Sequence, residues 1–355
     1  MPRLHELLTY LKDRNGSDLH LSAGLEPRIR RHGALEAVAG WPALDDDGVR
    51  ALLRETATDA QWEEFQSAHD LDFAYGLEGV ARFRVNYYLQ QHGAGAVFRL
   101  IPERIVTLEE LDLPQAIGEL ARLRSGLVLV TGPTGSGKST TLAAIIDRIN
   151  SLHSKHIVTI EDPVEFVHRN RRCLISQREV GHDTESFSAA LRSAIRQDAD
   201  VILVGEMRDL DTIALAVTAA EMGALVLGTL HTNSAVNTID RLIDAFPADE
   251  QAQIRTVLSE SLAAVVSQQL LRTADGQGRC AAVELLLRTP GLPNIIREAN
   301  TPMIVSIIQG GRALGMQTMD DALAAMVEAG RINAREAYLK ATNKARFDSK
   351  AESPS

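Results

Sequence analysis

Residues 132–139 have the types and the spacing of a phosphate-binding loop. They read GPTGSGKS, which satisfies the pattern GxxxxGK[ST]. The apolar run GLVLV precedes them and the helical pattern TTLAAIIDRIN follows, so strand, loop and helix come in the required order. A chance glycine-rich turn is remote in that context, since the constrained positions alone match in on the order of one chain in a hundred. The pattern predicts a site for ATP or GTP.

The residues of this loop have distinct chemical roles. Glycines allow backbone N–H groups to converge on phosphates at a helix N-terminus. Lys138 supplies a positive charge for the β- and γ-phosphates, and the Ser139 hydroxyl can ligate Mg²⁺. The residues predicted to bind the nucleotide are Gly132, Pro133, Thr134, Gly135, Ser136, Gly137, Lys138, Ser139 and Thr140.

Two further segments place carboxylates after buried strands. The run VILV ends at Gly205 and Glu206, where P-loop folds put the acid that faces the metal, although glycine here takes the place of the usual aspartate. The segment HIVTIEDPVEF places Glu161, Asp162 and Glu165 beyond another strand, and a carboxylate there can position or deprotonate the attacking water. Solvated acids around a Pro163 turn are a serious rival interpretation, above all for Glu161.

Four basic side chains complete the candidate site. His231 follows the strand ALVLGT and therefore emerges on the ligand side of the sheet, although a lone histidine is more often structural than catalytic. Arg82, Arg84 and Arg99 lie well before the loop, on predicted strands. They suit either solvated strand charges or arginine fingers supplied to a neighbouring subunit, and the residues alone do not decide between the two.

The surrounding elements predict an α/β chain with two domains. Residues 1–104 read as an α+β domain, with strands DLHLSA, ARFRVNYY and AVFRLI and a helix near residues 49–65. After a linker at 105–115, the strands GLVLVTG, HIVTIED, VILVGE and ALVLGTL alternate with amphipathic helices, which predicts a doubly wound parallel sheet in residues 116–346.

The end of this second domain has a different pattern. From Pro247 onward the chain reads as mostly helical, with one strand candidate, CAAVELLL, and we predict a disordered tail at 347–355. Residues 212–230 are almost wholly apolar, but Gly223 within them indicates a helix that ends and a strand that begins. We therefore predict no membrane-spanning segment.

Composition narrows the class of protein. The formal net charge of -10 disfavours a protein whose whole surface grips nucleic acid. Cys173 and Cys280 are the chain's two cysteines, so neither a disulfide framework nor a four-cysteine zinc site is available. The first residues lack the features of a signal peptide. A cytoplasmic protein is expected.

Motifs along nearly the whole chain, to about Arg346, resemble the secretion ATPase superfamily and, within it, the retraction motors of type IV pili. They occur in family order and spacing, and they are SDLHLSAG, GVARFRVN, GAGAVFR, GPTGSGKSTTLAA, TIEDPVEF, QREVG, LVGEMRDL, GTLHT and LGMQTMD. The resemblance implies a PAS-like α+β N-terminal domain, then a RecA-like P-loop NTPase domain with a helical C-terminal extension.

The resemblance also assigns roles. It implies Glu165 as the catalytic base, Glu206 near Mg²⁺ in an atypical Walker B motif, and His231 as a sensor of phosphate. The three arginines resemble trans-acting or interdomain arginines. ATP and Mg²⁺ are the implied cofactors. The implied assembly is a cytoplasmic homo-hexamer, held at the inner membrane by a platform protein of the pilus machine, with a paralogous retraction ATPase as a further partner.

Three positions depart from the family pattern. Ala224 stands where a second histidine usually lies, QDAD replaces QDPD at residues 197–200, and Gly291, Leu292 and Pro293 replace the start of the motif AIRNLIRE. Proline is well tolerated only in the first turn of a helix, so we predict that this helix begins at about Pro293. ATPase chemistry is expected to survive, with a modified mechanical output.

Other functions compete with a principal retraction motor. Accessory retraction ATPases that need a partner motor often have GATGTGKS in the loop, unlike GPTGSGKS here. A regulatory scaffold with little turnover is disfavoured by the intact Lys138, Glu165 and Glu206. A ring that moves DNA is disfavoured by the acidic charge, and we predict no nucleic-acid partner.

Overall fold

The computed structural model describes residues 3–31, 34–101 and 104–348. The chain forms two compact units. The first contains Met1–Arg104 together with the short segment Pro163–Val167, and the second contains Ile105–Asp162 and His168–Ser355. The sequence also predicts a turn at Gly33, and this position lies outside the described residues, as do residues 349–355 of the predicted tail.

The first unit is an antiparallel sheet with helices. Its elements are α1 (Arg3–Asp13), β1 (Asp18–Ser22), β2 (Arg28–Arg31), β3 (Ala34–Ala37), α2 (Asp46–Arg54), α3 (Asp59–Ala68), β4 (Asp70–Leu77), β5 (Ala81–Gln90) and β6 (Gly93–Ile101). The strand order is β3-β2-β1-β6-β5-β4. Residues alternate between the two faces of each strand, so Phe83, Val85 and Tyr87 of β5 are buried with the apolar sides of the helices, whereas Arg84 is exposed.

The predicted helix near residues 49–65 is wrong as a single element. Two helices, α2 and α3, occupy this region. A capping box starts the second: the Thr58 hydroxyl accepts a hydrogen bond from the N–H of Gln61, whose side-chain oxygen accepts from the N–H of Thr58. This reciprocal pairing satisfies backbone donors that a helix start leaves open, so the chain ends one helix and begins another.

The second unit has a mostly parallel sheet. Its elements up to the last strand are α4 (Gln115–Glu119), β7 (Gly126–Thr131), α5 (Lys138–Leu152), β8 (His156–Glu161), β9 (Leu174–Glu179), α6 (Phe187–Ile195), β10 (Val201–Val204), α7 (Leu210–Glu221), β11 (Leu225–Leu230), α8 (Ala235–Asp244), α9 (Gln251–Ser261), β12 (Leu262–Arg272) and β13 (Arg279–Leu287). The order is β13-β12-β7-β11-β10-β8-β9, and only the β12–β13 pair is antiparallel among the described residues. The central strands β7, β10 and β11 are buried along their whole length, as expected for a sheet covered on both faces.

The α-helices that follow the last strand within the described residues are α10 (Leu292–Arg297), α11 (Ile304–Gly310), α12 (Met319–Glu328) and α13 (Ala334–Lys340). The first begins at Leu292 with Pro293 in its first turn, which agrees with the prediction. Phe347, the first residue of the predicted disordered tail, is buried in a small apolar cluster with Leu323 and Met326, so the prediction is wrong at this residue. The fold class predicted from the sequence, an α+β domain followed by a P-loop α/β domain with C-terminal helices, is confirmed.

Two further predictions concern the apolar stretch at 212–230 and the strands after Pro247. The apolar stretch at 212–230 contains most of α7 and the whole strand β11, and none of the described helices is long and apolar enough to cross a membrane. The prediction that the region after Pro247 contains a single strand is wrong, because β12 is an eleven-residue strand that pairs with both β7 and β13.

Candidate active site

The phosphate-binding loop connects β7 to α5 and depends on its glycines. Gly132, Gly135 and Gly137 have φ angles of 147°, 78° and 89°, which residues with a Cβ atom adopt rarely. A Cβ atom at Gly132 would lie 2.2 Å from the backbone oxygen of Gln268. The backbone therefore follows a path that only glycine permits, and it opens α5 with Gly137 as the N-cap.

Lys138 begins a chain of polar contacts at the carboxyl end of the sheet. Its Nζ donates hydrogen bonds to the carbonyl oxygens of Gly132 (2.9 Å) and Pro133 (3.1 Å) and lies 3.5 Å from His231 Nδ1. His231 Nε2 lies 3.0 Å from Glu206 Oε1. An ammonium group only donates, so Nδ1 is the acceptor and the ring proton belongs on Nε2, where it points to the carboxylate. The structure thus brings together three residues predicted from separate motifs.

Glu206 is held as a carboxylate by its neighbours. Burial disfavours its charge, but the hydrogen bond and positive charge of Arg208, 2.6 Å away, together with the hydrogen bond from His231, outweigh that effect and lower its pKa. Its side chain is 20% exposed. The backbone just before Glu206 is fixed by its neighbours. Gly205 packs against the backbone of β8, and the Thr229 hydroxyl donates to the Gly205 carbonyl oxygen at 2.5 Å.

Gln268 is a site residue that sequence reasoning missed. It lies on β12, is 3% exposed, and its Nε2 donates to the Ser136 carbonyl oxygen at 2.8 Å. Its Oε1 accepts from the Thr141 hydroxyl at 2.8 Å. No motif includes it, and the sequence pattern predicts a helix for its segment. A buried glutamine opposite the phosphate-binding loop would have been the signal had β12 been recognised as a strand beside β7.

The acids of the segment HIVTIEDPVEF divide between the two units. Glu161 ends β8 in the second unit, where its Oε1 accepts hydrogen bonds from the Thr159 hydroxyl (2.7 Å) and from Gln177 Nε2 (3.3 Å). Glu165 is exposed and belongs to Pro163–Val167, the segment that groups with the first unit. The hydrogen bonds of Glu161 favour a structural role for it.

Comparison with known proteins agrees with this geometry. Residues 59–352 match the family model described as Type II/IV secretion system protein. The chain belongs to this family. It is 52% identical over 336 residues to the type IV pilus retraction ATPase PilT of Pseudomonas aeruginosa, covering 95% of this chain and 97% of that protein. It is 50% identical to a twitching motility protein of Neisseria gonorrhoeae, covering 89% of this chain and 84% of that protein.

A solved structure of the family extends the likeness to the fold. The crystal structure of the pilus retraction motor PilT with bound ADP superimposes with a TM-score of 0.92 at 40% identity, covering 98% of this chain and 99% of that one. The family match begins within the first unit and continues through the second unit as far as residue 352. Family membership therefore rests on both units and not on the phosphate-binding loop alone.

The three arginines that resemble the family's trans-acting residues lie on the sheet of the first unit. Arg84 of β5 pairs directly with Arg99 of β6, which in turn pairs with Asp18 of β1. Arg99 Nε donates to Asp18 Oδ1 at 2.8 Å, and Asp18 is buried. Burial raises the pKa of Asp18, but Ser17 and Arg99 outweigh it and lower the net value. Arg82 is half-buried on the same strand as Arg84.

The residues present suit a nucleotide with a magnesium ion. Ser136 Oγ is buried in the loop without a hydrogen-bond partner among the described residues, which suits a phosphate oxygen. No group of three or more His, Cys, Asp or Glu side chains within the described ranges has the arrangement of a metal site. Magnesium needs no such group, because it usually keeps several waters and binds one or two protein ligands plus phosphates. Ser139 and Glu206 are those candidate ligands.

Proposed function

We propose that this protein is an ATP-hydrolysing motor that retracts type IV pili, acting as a cytoplasmic homo-hexamer on an inner-membrane platform protein. The observation that carries the proposal is the contact chain from Lys138 through His231 to Glu206, beside a loop that only glycines can form. Similarity along nearly the full chain to a pilus retraction ATPase supports the mechanical role.

In the proposed reaction, water attacks the γ-phosphorus while the bond to the β,γ-bridging oxygen breaks, giving ADP and phosphate. The N–H groups at the start of α5 and the Lys138 ammonium bind the phosphate oxygens. Glu165 receives the proton of the attacking water. Bound Mg²⁺ would neutralise charge on the phosphates, with the Ser139 hydroxyl and Glu206 as the groups that hold it.

His231 provides a way to sense the γ-phosphate. Lys138 now donates to carbonyl oxygens of its own loop and lies near His231 Nδ1. Phosphate oxygens are stronger acceptors for an ammonium group than neutral carbonyl oxygens are. Lys138 would turn to the nucleotide, and His231 would lose this neighbour while it keeps Glu206. The histidine therefore connects nucleotide state to the segment that follows β11.

Phosphate release by the purified protein with ATP and Mg²⁺ tests the reaction. Lys138→Ala is expected to abolish it, because the loop loses the cation that offsets phosphate charge. Lys340→Ala, at an exposed position of α13, is the matched control and should retain full activity. The mechanical role is tested in a piliated strain that lacks its own motor. The wild type is expected to restore pilus retraction there, and Lys138→Ala is not. Normal hydrolysis by Lys138→Ala would refute the nucleotide site.

A further inference from the structure

Gln268 contacts the phosphate-binding loop from the neighbouring strand. Its side-chain amide lies between the Ser136 carbonyl oxygen and the Thr141 hydroxyl, at 2.8 Å from each. These partners lie on either side of Gly137, where the loop becomes helix α5. We infer that Gln268 is a positioning residue that fixes the Ser136–Gly137 peptide and thereby the loop's grip on nucleotide phosphates. This inference rests on the proposed function and adds a residue to its site.

The geometry of a peptide bond makes this contact informative. In a planar trans peptide the C=O and the following N–H point in opposite directions. Gln268 Nε2 holds the carbonyl oxygen of Ser136 on the side of β12. The N–H of Gly137 must then point to the other side. Glycine permits either orientation at low cost, so an outside contact is needed to select one.

The neutral amide of Gln268 satisfies both of its neighbours with one donor and one acceptor. The Ser136 carbonyl needs a donor and the Thr141 hydroxyl donates to an acceptor. A glutamate would offer acceptors to both and would place negative charge beside the Ser136 oxygen. A methionine would fill the space with neither bond. At 3% exposure, water cannot readily replace the lost partner, so the carbonyl would stay unsatisfied or turn.

Sheet pairing keeps Gln268 against the loop. Ser267 lies opposite Thr131 in the parallel pair of β12 and β7, with hydroxyl groups 2.9 Å apart. Gln268 follows Ser267, so its backbone reaches Gly132, and its Nε2 would lie 2.8 Å from a Cβ atom at Gly137. The loop therefore contacts the backbone of Gln268 at Gly132 and its side chain at Gly137. A displacement of β12 would be transmitted directly to the phosphate-binding backbone.

The test compares Gln268→Glu and Gln268→Met with the adjacent Gln269→Glu, in which the glutamine is half-buried. We expect the KM for ATP to rise about tenfold in both Gln268 variants, as for the loss of about one well-placed hydrogen bond, while kcat changes less. Gln269→Glu should stay within about twofold, an effect well below that of a hydrogen bond. Thr141→Val, which removes the hydroxyl that orients the amide, should raise KM by a smaller factor.

Inhibition by inorganic tripolyphosphate distinguishes weaker binding of the phosphates from weaker binding of the base or sugar. Tripolyphosphate lacks base and sugar, so its inhibition constant should rise by the same factor as KM in each Gln268 variant. Thermal unfolding identifies any variant that fails to fold, and Gln268→Met and Thr141→Val then serve in place of Gln268→Glu. Wild-type KM and inhibition constants in folded Gln268 variants would overturn the inference. A wild type that binds ATP without hydrolysing it would overturn the proposed function, and fluorescent ATP-analogue binding would still test Gln268.

Discussion

Glu206 is poorly suited to act as a general base, because its carboxylate is already hydrogen-bonded. Its carboxylate is occupied by His231 and Arg208, and its lowered pKa makes it a weak acceptor of protons. A general base works best when its pKa lies near the working pH. Glu206 is therefore better suited to electrostatic and metal-holding work than to proton transfer. We therefore propose that an acid of the segment around Pro163 acts on the attacking water.

Glu165 and Glu161 can be told apart by matched substitutions. Glu165→Gln should retain ATP binding and lower kcat by about a hundredfold or more, because shape is kept while the proton acceptor is lost. Glu161→Gln should have a smaller effect, since Glu161 is already held by Thr159 and Gln177. Single-turnover hydrolysis and nucleotide binding measure the two quantities separately. A larger fall in kcat for Glu161→Gln would transfer the proposed role to that residue.

The paired arginines of the first unit differ in what they touch. Arg99 donates to buried Asp18, whereas Arg84 is an exposed cross-strand neighbour. Arg99→Ala should lower the free energy of unfolding by about 1 kcal/mol at pH 7, because a buried carboxylate loses a charged partner. Arg84→Ala should change it by less than about 0.5 kcal/mol, as for most surface substitutions. Chemical denaturation of both variants provides the measurement.

The pH dependence gives this prediction a sign. The pKa of Asp18 is lowered in the folded protein, so its ionised form stabilises the fold above the ordinary value of 3.8, and this contribution is lost as the pH falls through the folded pKa. Arg99→Ala removes part of that contribution. The stability difference between wild type and Arg99→Ala should therefore shrink as the pH falls below 3.8. A difference that grows with acidity would exclude the Asp18 contact as its cause.

At the scale of elements, the sequence was informative where one local pattern decides the structure. The phosphate-binding loop, the buried strands and the start of α10 at Leu292 all follow from glycine, proline and hydrophobic runs. The strand β12 was missed because its sequence, LAAVVSQQLLR, has apolar residues that also suit a buried helix. Pairing with β7 and β13, far away along the chain, decides in favour of a strand. Gln268 was missed for that reason.

In the short helix α10, the arginine of the motif, Arg297, bonds to residues of α9. Arg297 Nη1 lies 2.7 Å from Glu260 and 3.2 Å from Ser259 Oγ. Leu292, at the first position, is buried, and Pro293 follows it within the first turn. The changed residues at the start of the motif therefore set where the helix begins.

Replacing Leu292 and Pro293 together by Ile and Arg tests the mechanical consequence. We expect ATPase activity within about twofold of the wild type, because both residues lie outside the proposed nucleotide site, and an altered rate of pilus retraction. Both are measured, by phosphate release and by imaging labelled pili in a strain without its own motor. The wild-type dipeptide should give weak retraction, or retraction that needs a paralogous ATPase. Full-speed retraction by the wild type alone, unchanged in the double variant, would show that the departure has no mechanical role.

At the scale of the whole molecule, two compact units share one chain. The family match spans both, so the first unit is part of the motor and not an independent attachment. Candidate residues follow the same division: Lys138, Glu206 and His231 belong to the second unit, and the arginines to the first. A ring converts hydrolysis into work only when movement of one domain depends on the nucleotide bound by another. We propose the arginines as the chemical basis of such dependence.

We propose that the arginines act across subunits of a homo-hexamer, and mixed rings test this. Light scattering of the wild type should give six times the mass of the chain. Lys138→Ala and Arg84→Ala proteins should each be inactive alone. When the two are mixed and reassembled, Lys138 of one subunit and Arg84 of its neighbour complete some sites, so part of the activity should return. Arginines that act within their own subunit would give no recovery, and a monomer with full turnover would exclude the ring altogether. Mixing Lys138→Ala with Glu206→Gln is the control, because both residues belong to the second unit and should fail to complement.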